Sequence, residues 1–208
     1  MQPGVRPLGA ESKGPSGTVL VPLAEGFEEI EAVTIIDVLR RAGVDVCVAG
    51  LAPGPVRGSH GISLATDRAL ADVAVSELAM VVLPGGTPGA ANLRKDERVL
   101  ALVRELERSG RLVAAICAGP TVLAAAGVLE GRRATAYPAV RGQLAGAEVV
   151  DRPTVVRSGP VLTSQGVGTA LDFALELVAV LVGPAKSREL RAAMLVPEPR
   201  QEPSHGVR

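Results

Sequence analysis

From Thr18 onward, short and uniformly apolar runs alternate with longer stretches whose apolar residues recur every three or four positions. The run "TVLVPLA" (18–24) ends at Glu25-Gly26 and predicts a buried strand. From Phe27 to Ala42 the period changes. Ile30, Val33, Ile36 and Leu39 recur every three residues, Ile35 and Val38 widen that apolar face, and Gly43 ends the run, which predicts a helix. "VDVCVAG" (44–50) predicts a second strand with Val44, Val46 and Val48 on one face and Asp45, Cys47 and Ala49 on the other. "PGPVRGSHGISLATDRAL" holds too many turn residues for a helix and predicts a hairpin or loose strands. After a short helix near 72–78, "AMVVLPGG" (79–86) is the third core strand, and 95–109 an amphipathic helix stopped by Gly110. "LVAAIC" is the fourth strand and 118–126 its helix; "PVLTSQG" (160–166) is the fifth, followed by helices at 168–182 and about 186–194.

Strand and helix alternate almost throughout, without internal repeats. That order predicts an α/β fold, a mostly parallel sheet with helices on both faces. Such sheets carry their sites at the carboxyl ends of the strands. Here those ends hold Glu25 to Glu31, Pro84-Gly85-Gly86 and Cys117.

The 208 residues suit one core, and therefore one domain over 18–196. Residues 1–17 lack the apolar core of a secretory signal and read as a disordered extension; 197–208 read as a flexible tail. Lys plus Arg and Asp plus Glu balance at 22 each, and Phe27, Tyr137 and Phe173 are the whole aromatic set. With neither a basic stripe nor stacking platforms, nucleic acid is not an expected ligand. No apolar stretch reaches the length of a bilayer span, so no membrane is expected. Two cysteines and two histidines make neither a disulfide framework nor a closed zinc site at familiar spacing, and a reducing cytoplasm is the simplest setting.

Cys117 stands where a buried strand turns into a helix. It is either a small hydrophobe or a nucleophile whose pKa the helix amino terminus lowers. Cys47, with strand residues on both sides, is better explained by packing. Glu28 and Glu29 read as ordinary first-turn partners of the helix dipole, whereas Glu31, between Ile30 and Ala32, is able to face inward. A carboxyl beside a thiolate there would keep its proton. Gly85 and Gly86 fit a tight turn or a pair of oxyanion donors.

Taken together, "GFEEIEA", "DVLRRAGVDVCVAGL", "VVLPGGTPGAANL", "AAICAGPTVLA" and "LTSQGVGTALDFALELV" resemble the ThiJ/PfpI superfamily. They fall nearest the branch of the parkinsonism-associated protein deglycase and bacterial YajL. The resemblance runs in order from about Thr18 to Val196. It implies a flavodoxin-like three-layer sandwich, class I glutamine amidotransferase-like, that forms a homodimer. It further implies Cys117 as nucleophile, Glu31 as its carboxyl partner, and the backbone N–H groups of Gly86 and Ala118 as oxyanion donors, with Gly85, Tyr137 and His60 as candidate pocket residues.

One departure stands out. Where many superfamily members carry a histidine after the nucleophile helix, this chain reads "TAYPAV" and presents Tyr137. A tyrosine with pKa about 10 is no general base at neutral pH. His60, in "RGSHGIS", reads as a solvated loop residue that could approach the site only in the folded dimer. A peptidase or amidotransferase is therefore disfavoured. The expected activity is a cofactor-free and metal-free cysteine enzyme, hydro-lyase or hydrolase, acting on methylglyoxal, glyoxal or glycated protein side chains. The alternative is a redox-sensing holdase chaperone signalled by oxidation of Cys117.

Overall fold

The computed structural model describes residues 17–198; the predicted extension except Gly17, and most of the predicted tail, lie outside them. The elements in chain order begin with β1 (Thr18–Leu23), α1 (Glu29–Arg41), β2 (Val46–Gly50), β3 (Val56–Arg57), β4 (Ser63–Leu64), β5 (Arg68–Ala69) and β6 (Leu78–Leu83). There follow α2 (Thr87–Lys95), α3 (Glu97–Arg108), β7 (Leu112–Ile116), α4 (Pro120–Ala125), β8 (Arg133–Ala134) and β9 (Glu148–Val149). The chain continues through β10 (Val155–Ser158), β11 (Val161–Ser164), α5 (Ala170–Leu181) and α6 (Pro184–Ala193).

Seven strands form the central sheet in the order β10-β11-β7-β6-β1-β2-β5, all parallel except the β10–β11 hairpin. Alternation along each strand makes two cores. Leu20, Val81, Leu83, Val113 and Ala115 pack with Leu93, Val103, Leu106 and Leu123 of α2, α3 and α4. Val19, Val21, Met80, Val82, Ala114 and Ile116 pack with Ile35, Leu39, Phe173 and Leu177 of α1 and α5. Each such large side chain contributes about 1.5–3 kcal/mol on burial. The result is the flavodoxin-like three-layer sandwich.

From β1 the chain moves to β2 on one side and later to β6 on the other, so the topological switch lies between β1 and β6. Their pairing stops at Leu20–Val81, ahead of Pro22, which has no N–H to give. The strands part there, and the crevice above them is where a ligand site belongs.

Several elements differ from expectation. Residues 72–78 are not a helix: they hold short 3₁₀ turns at Leu70–Asp72 and Val75–Glu77 before β6. The helix expected over 95–109 is α3, which starts at Glu97 because the Asp96 carboxylate accepts from Arg98 N at 3.0 Å and caps it; α2, over Thr87–Lys95, is an additional helix that the apolar spacing did not predict. The strand over 160–166 has an antiparallel partner, β10, unmarked by any apolar run. In α1 the inward face is Ala32, Ile35, Val38 and Leu39, joined by Glu31, while Ile30 and Val33 are 55% and 45% exposed. Cys47 lies on the α2–α3 side of the sheet with Ala49, and burial pushes its thiol pKa up. Among the described residues no helix is long and apolar enough to cross a membrane.

Candidate active site

Cys117 follows the last residue of β7 and takes a left-handed backbone, φ 62°, a conformation costly for a side chain with a Cβ. Hydrogen bonds on both sides hold it there. Cys117 N donates to Ser164 O at 3.0 Å, and Tyr137 N donates to Cys117 O at 2.9 Å. The sulfur is thereby lifted off the carboxyl edge of the sheet, and the residue is half-buried. Helix α4 begins only at Pro120 and runs six residues, so the expected pull of a helix terminus on the thiol is replaced by two individual donors. The backbone N–H groups of Gly86 and Ala118 bond to the sulfur and favour its ionised form.

Glu31 reaches the same point from the first turn of α1. Its side chain is fully buried, Oε2 accepts from Gly85 N at 2.8 Å, and its carboxyl bears directly on Cys117. Oε1 is the one buried side-chain polar atom among the described residues without a hydrogen-bond partner. Burial pushes the Glu31 pKa up to about 7, against the pull of Gly85 N–H and Cys117 and with a push from the Glu28 charge. Burial first, and the Glu31 charge second, push the Cys117 thiol up to about 12. The expected depressed thiol is thus corrected. The two groups titrate as one pair that sheds a single proton near neutrality. The remaining negative charge rests on the carboxylate, or on the sulfur when Glu31 takes the proton.

Gly85 and Gly86 make this closeness achievable. A Cβ on Gly85 would lie 2.5 Å from Cys117 Cβ and 2.6 Å from Glu31 Oε2. Gly86 has φ 86°, and a Cβ there would meet Gly26 O at 2.3 Å, so only glycine aims that N–H at the sulfur. Tyr137 is half exposed and lines a depression of about 310 Å³ with Cys117, Pro138, Gln165, Gly166, Val167, Gly168 and Thr169. Gln165 to Thr169 lie within one of the quoted motifs but carry no expected site role, although their glycine-rich turn follows a core strand at the sheet's carboxyl edge. His60 does not join Cys117 within the chain: its ring, 69% exposed, pairs with Glu29 at 2.9 Å. Nor is Glu29 an ordinary dipole partner. It is buried and accepts from His60 N and Ile62 N, at 2.6 and 3.4 Å, fastening the β3–β4 hairpin to α1.

The model of the DJ-1/PfpI family matches residues 17–180. The chain belongs to the DJ-1/PfpI family. It is 44% identical over 183 residues to Protein dj-1beta of Drosophila melanogaster, covering 87% of this chain and 98% of that protein. A crystal structure of DJ-1beta from the same fly superposes with TM-score 0.85, covering 88% of this chain and 100% of that one. A relative from Caenorhabditis elegans, 39% identical over 177 residues with 84% and 93% covered, is named Glutathione-independent glyoxalase DJR-1.2. Membership in the DJ-1/PfpI family, with a relative so named, supports an enzymatic role in general.

Proposed function

We propose that the protein is a cofactor-independent cysteine enzyme of the glyoxalase or deglycase type, acting on methylglyoxal, glyoxal or their early adducts with protein amines and thiols. The observation that carries this reading is the Cys117–Glu31 pair: a half-buried sulfur beside a sealed carboxyl with one unpartnered oxygen, sharing a proton near neutral pH. With the proton on Glu31, the sulfur adds to the aldehyde carbon. The oxygen of the adduct takes up negative charge beside the Gly86 and Ala118 N–H groups, then a proton from Glu31, giving a hemithioacetal. Glu31, now a carboxylate, removes the proton from the carbon bearing sulfur and returns it to the neighbouring carbonyl carbon, while the hydroxyl proton of the first carbon passes to the oxygen of the second. That leaves a thioester, which water cleaves to lactate and the free thiol. The first carbon is oxidised and the second reduced, so the balance closes without an external electron acceptor.

His60 is the only histidine among the described residues and is engaged by Glu29, which argues against a Cys-His hydrolase. The relative named a glutathione-independent glyoxalase argues for the dicarbonyl reading. The apolar side chains of Ile30, Val33 and Ile62, 55%, 45% and 58% exposed around the start of α1, fit a self-complementary contact with a second copy of the chain. The redox reading draws on the same donors, since two N–H groups and a protonated Glu31 suit the oxygens of an oxidised Cys117. Lactate formation from methylglyoxal decides for the enzyme. Wild type should turn over, while Cys117→Ala and Glu31→Gln fall to background; equal rates in all three end the proposal.

A further inference from the structure

Glu28 and Glu29 stand at the start of α1, and His60 at the tip of the β3–β4 hairpin. Two backbone bonds clamp these segments together: Gly26 N to Arg57 O at 2.8 Å and Ser59 N to Phe27 O at 2.9 Å. One ligand-competent atom from each of Glu28, Glu29 and His60 lies within 4.8 Å of the other two. His60 Nδ1 is 2.9 Å from Glu29 Oε2 and 3.7 Å from Glu28 Oε2. A tetrahedral zinc with bonds of about 2.0–2.2 Å holds its ligand atoms about 3.3–3.6 Å apart. The two distances bracket that spacing, so small side-chain adjustments are enough to receive an ion.

We propose that Glu28, Glu29 and His60 form a binding site for a divalent transition-metal ion of the zinc class. One imidazole nitrogen and two carboxylate oxygens are a donor set of intermediate softness, suited to zinc and its neighbours rather than to calcium or magnesium. The supporting contacts are already made. Glu29 Oε1 is held by His60 N and Ile62 N, which fixes the carboxylate and leaves Oε2 turned toward the imidazole. Ser59 Oγ, at 3.3 Å from Glu29 Oε2 and 3.1 Å from His60 Nδ1, moves aside when an ion enters.

Charge points the same way. The two carboxylate side chains are only 12% and 5% exposed, and one imidazole cannot neutralise both. With so little water to screen them, two carboxylate groups attract a dication strongly. The exposed His60 ring leaves a fourth coordination position open to water. Neither Cys117 nor Glu31 belongs to this ligand set.

The test uses the full chain carrying Cys117→Ala, so that no reactive thiol competes for the metal. Calorimetric titration with zinc chloride in a non-chelating buffer should give one saturable equivalent. Adding Glu28→Gln or His60→Ala should each weaken binding by at least about tenfold. Glu28→Gln leaves every contact of Glu29 with the hairpin intact, so its melting temperature without metal should match the parent. No saturable heat in the parent, or an affinity unchanged in either added variant, overturns the site.

Discussion

Replacing Gly85 with alanine adds one methyl group at the most crowded point of the site. The added carbon would sit 2.5 Å from Cys117 Cβ, 2.6 Å from Glu31 Oε2 and 3.0 Å from Cys117 Sγ, where 3.4–4 Å is ordinary contact. Sulfur and carboxylate must therefore retreat by roughly an ångström between them. Gly85 is absent from the glycines with positive φ, so alanine meets no backbone penalty and the effect is steric. Misplacing reacting groups by about 1 Å costs about 10²-fold in rate, equivalent to about 2.7 kcal/mol of transition-state stabilisation. Overpacking costs about 1–3 kcal/mol in stability, which leaves a typical domain folded at 25 °C. Lactate production from methylglyoxal, measured beside circular dichroism and a melting curve, should show kcat/KM down by about 10²-fold in a folded protein. A Gly85→Ala enzyme of wild-type activity would refute the reasoning, because the pair could not then be as tightly set as described.

Glu31→Gln should stabilise the protein at pH 8 while removing turnover. A carboxyl whose folded pKa is raised from 4.5 to about 7 weakens folding as pH climbs through that window, by on the order of 2–3 kcal/mol. Melting temperatures at pH 8 and pH 4.5 should show the gain at the first and its disappearance at the second. Glu29→Gln should act in the opposite sense. Burial would raise this carboxyl, but hydrogen bonds from the His60 ring and from backbone N–H groups outweigh it and hold the pKa at about 2, below the ordinary 4.5. Its contribution is therefore present above about pH 4.5 and lost as pH falls toward 2; the variant should lose about 2 kcal/mol in urea at pH 7 and little near pH 2. Val33→Glu should make the protein monomeric in light scattering if α1 is the contact between copies; an unchanged mass places that contact elsewhere.

The layers of the fold were legible because each core strand is a continuous apolar run and each main helix has a clean stop. What escaped was set by contacts distant in sequence. Ile30 and Val33 share the spacing of a buried stripe, yet the face that packs inward is Ala32, Ile35, Val38 and Leu39, and that rotation also brings Glu31 to Gly85, 54 positions away. Strand β10, "VVRS", is too short and too polar to announce itself, and exists because β11 offers it a free edge. At the site, Cys117 and Glu31 could be named from motif and position. The sign of the thiol shift could not, because burial is a property of the folded crevice and here outweighs two N–H donors. Glu29 looked like a surface partner of the helix dipole for the same reason, since the hairpin that covers it arrives 31 residues later.

The account turns on one proton held between sulfur and carboxylate, and the rate of iodoacetamide modification at Cys117 as a function of pH reads it directly. In wild type that rate should rise and then bend near pH 7, where the pair gives up its first proton. Above the bend it should run nearly level, because the charge left on Glu31 opposes a thiolate. Glu31→Gln should show no bend and should overtake wild type by pH 8. Superimposable profiles for the two proteins would contradict the shared proton and, with it, the proposed chemistry.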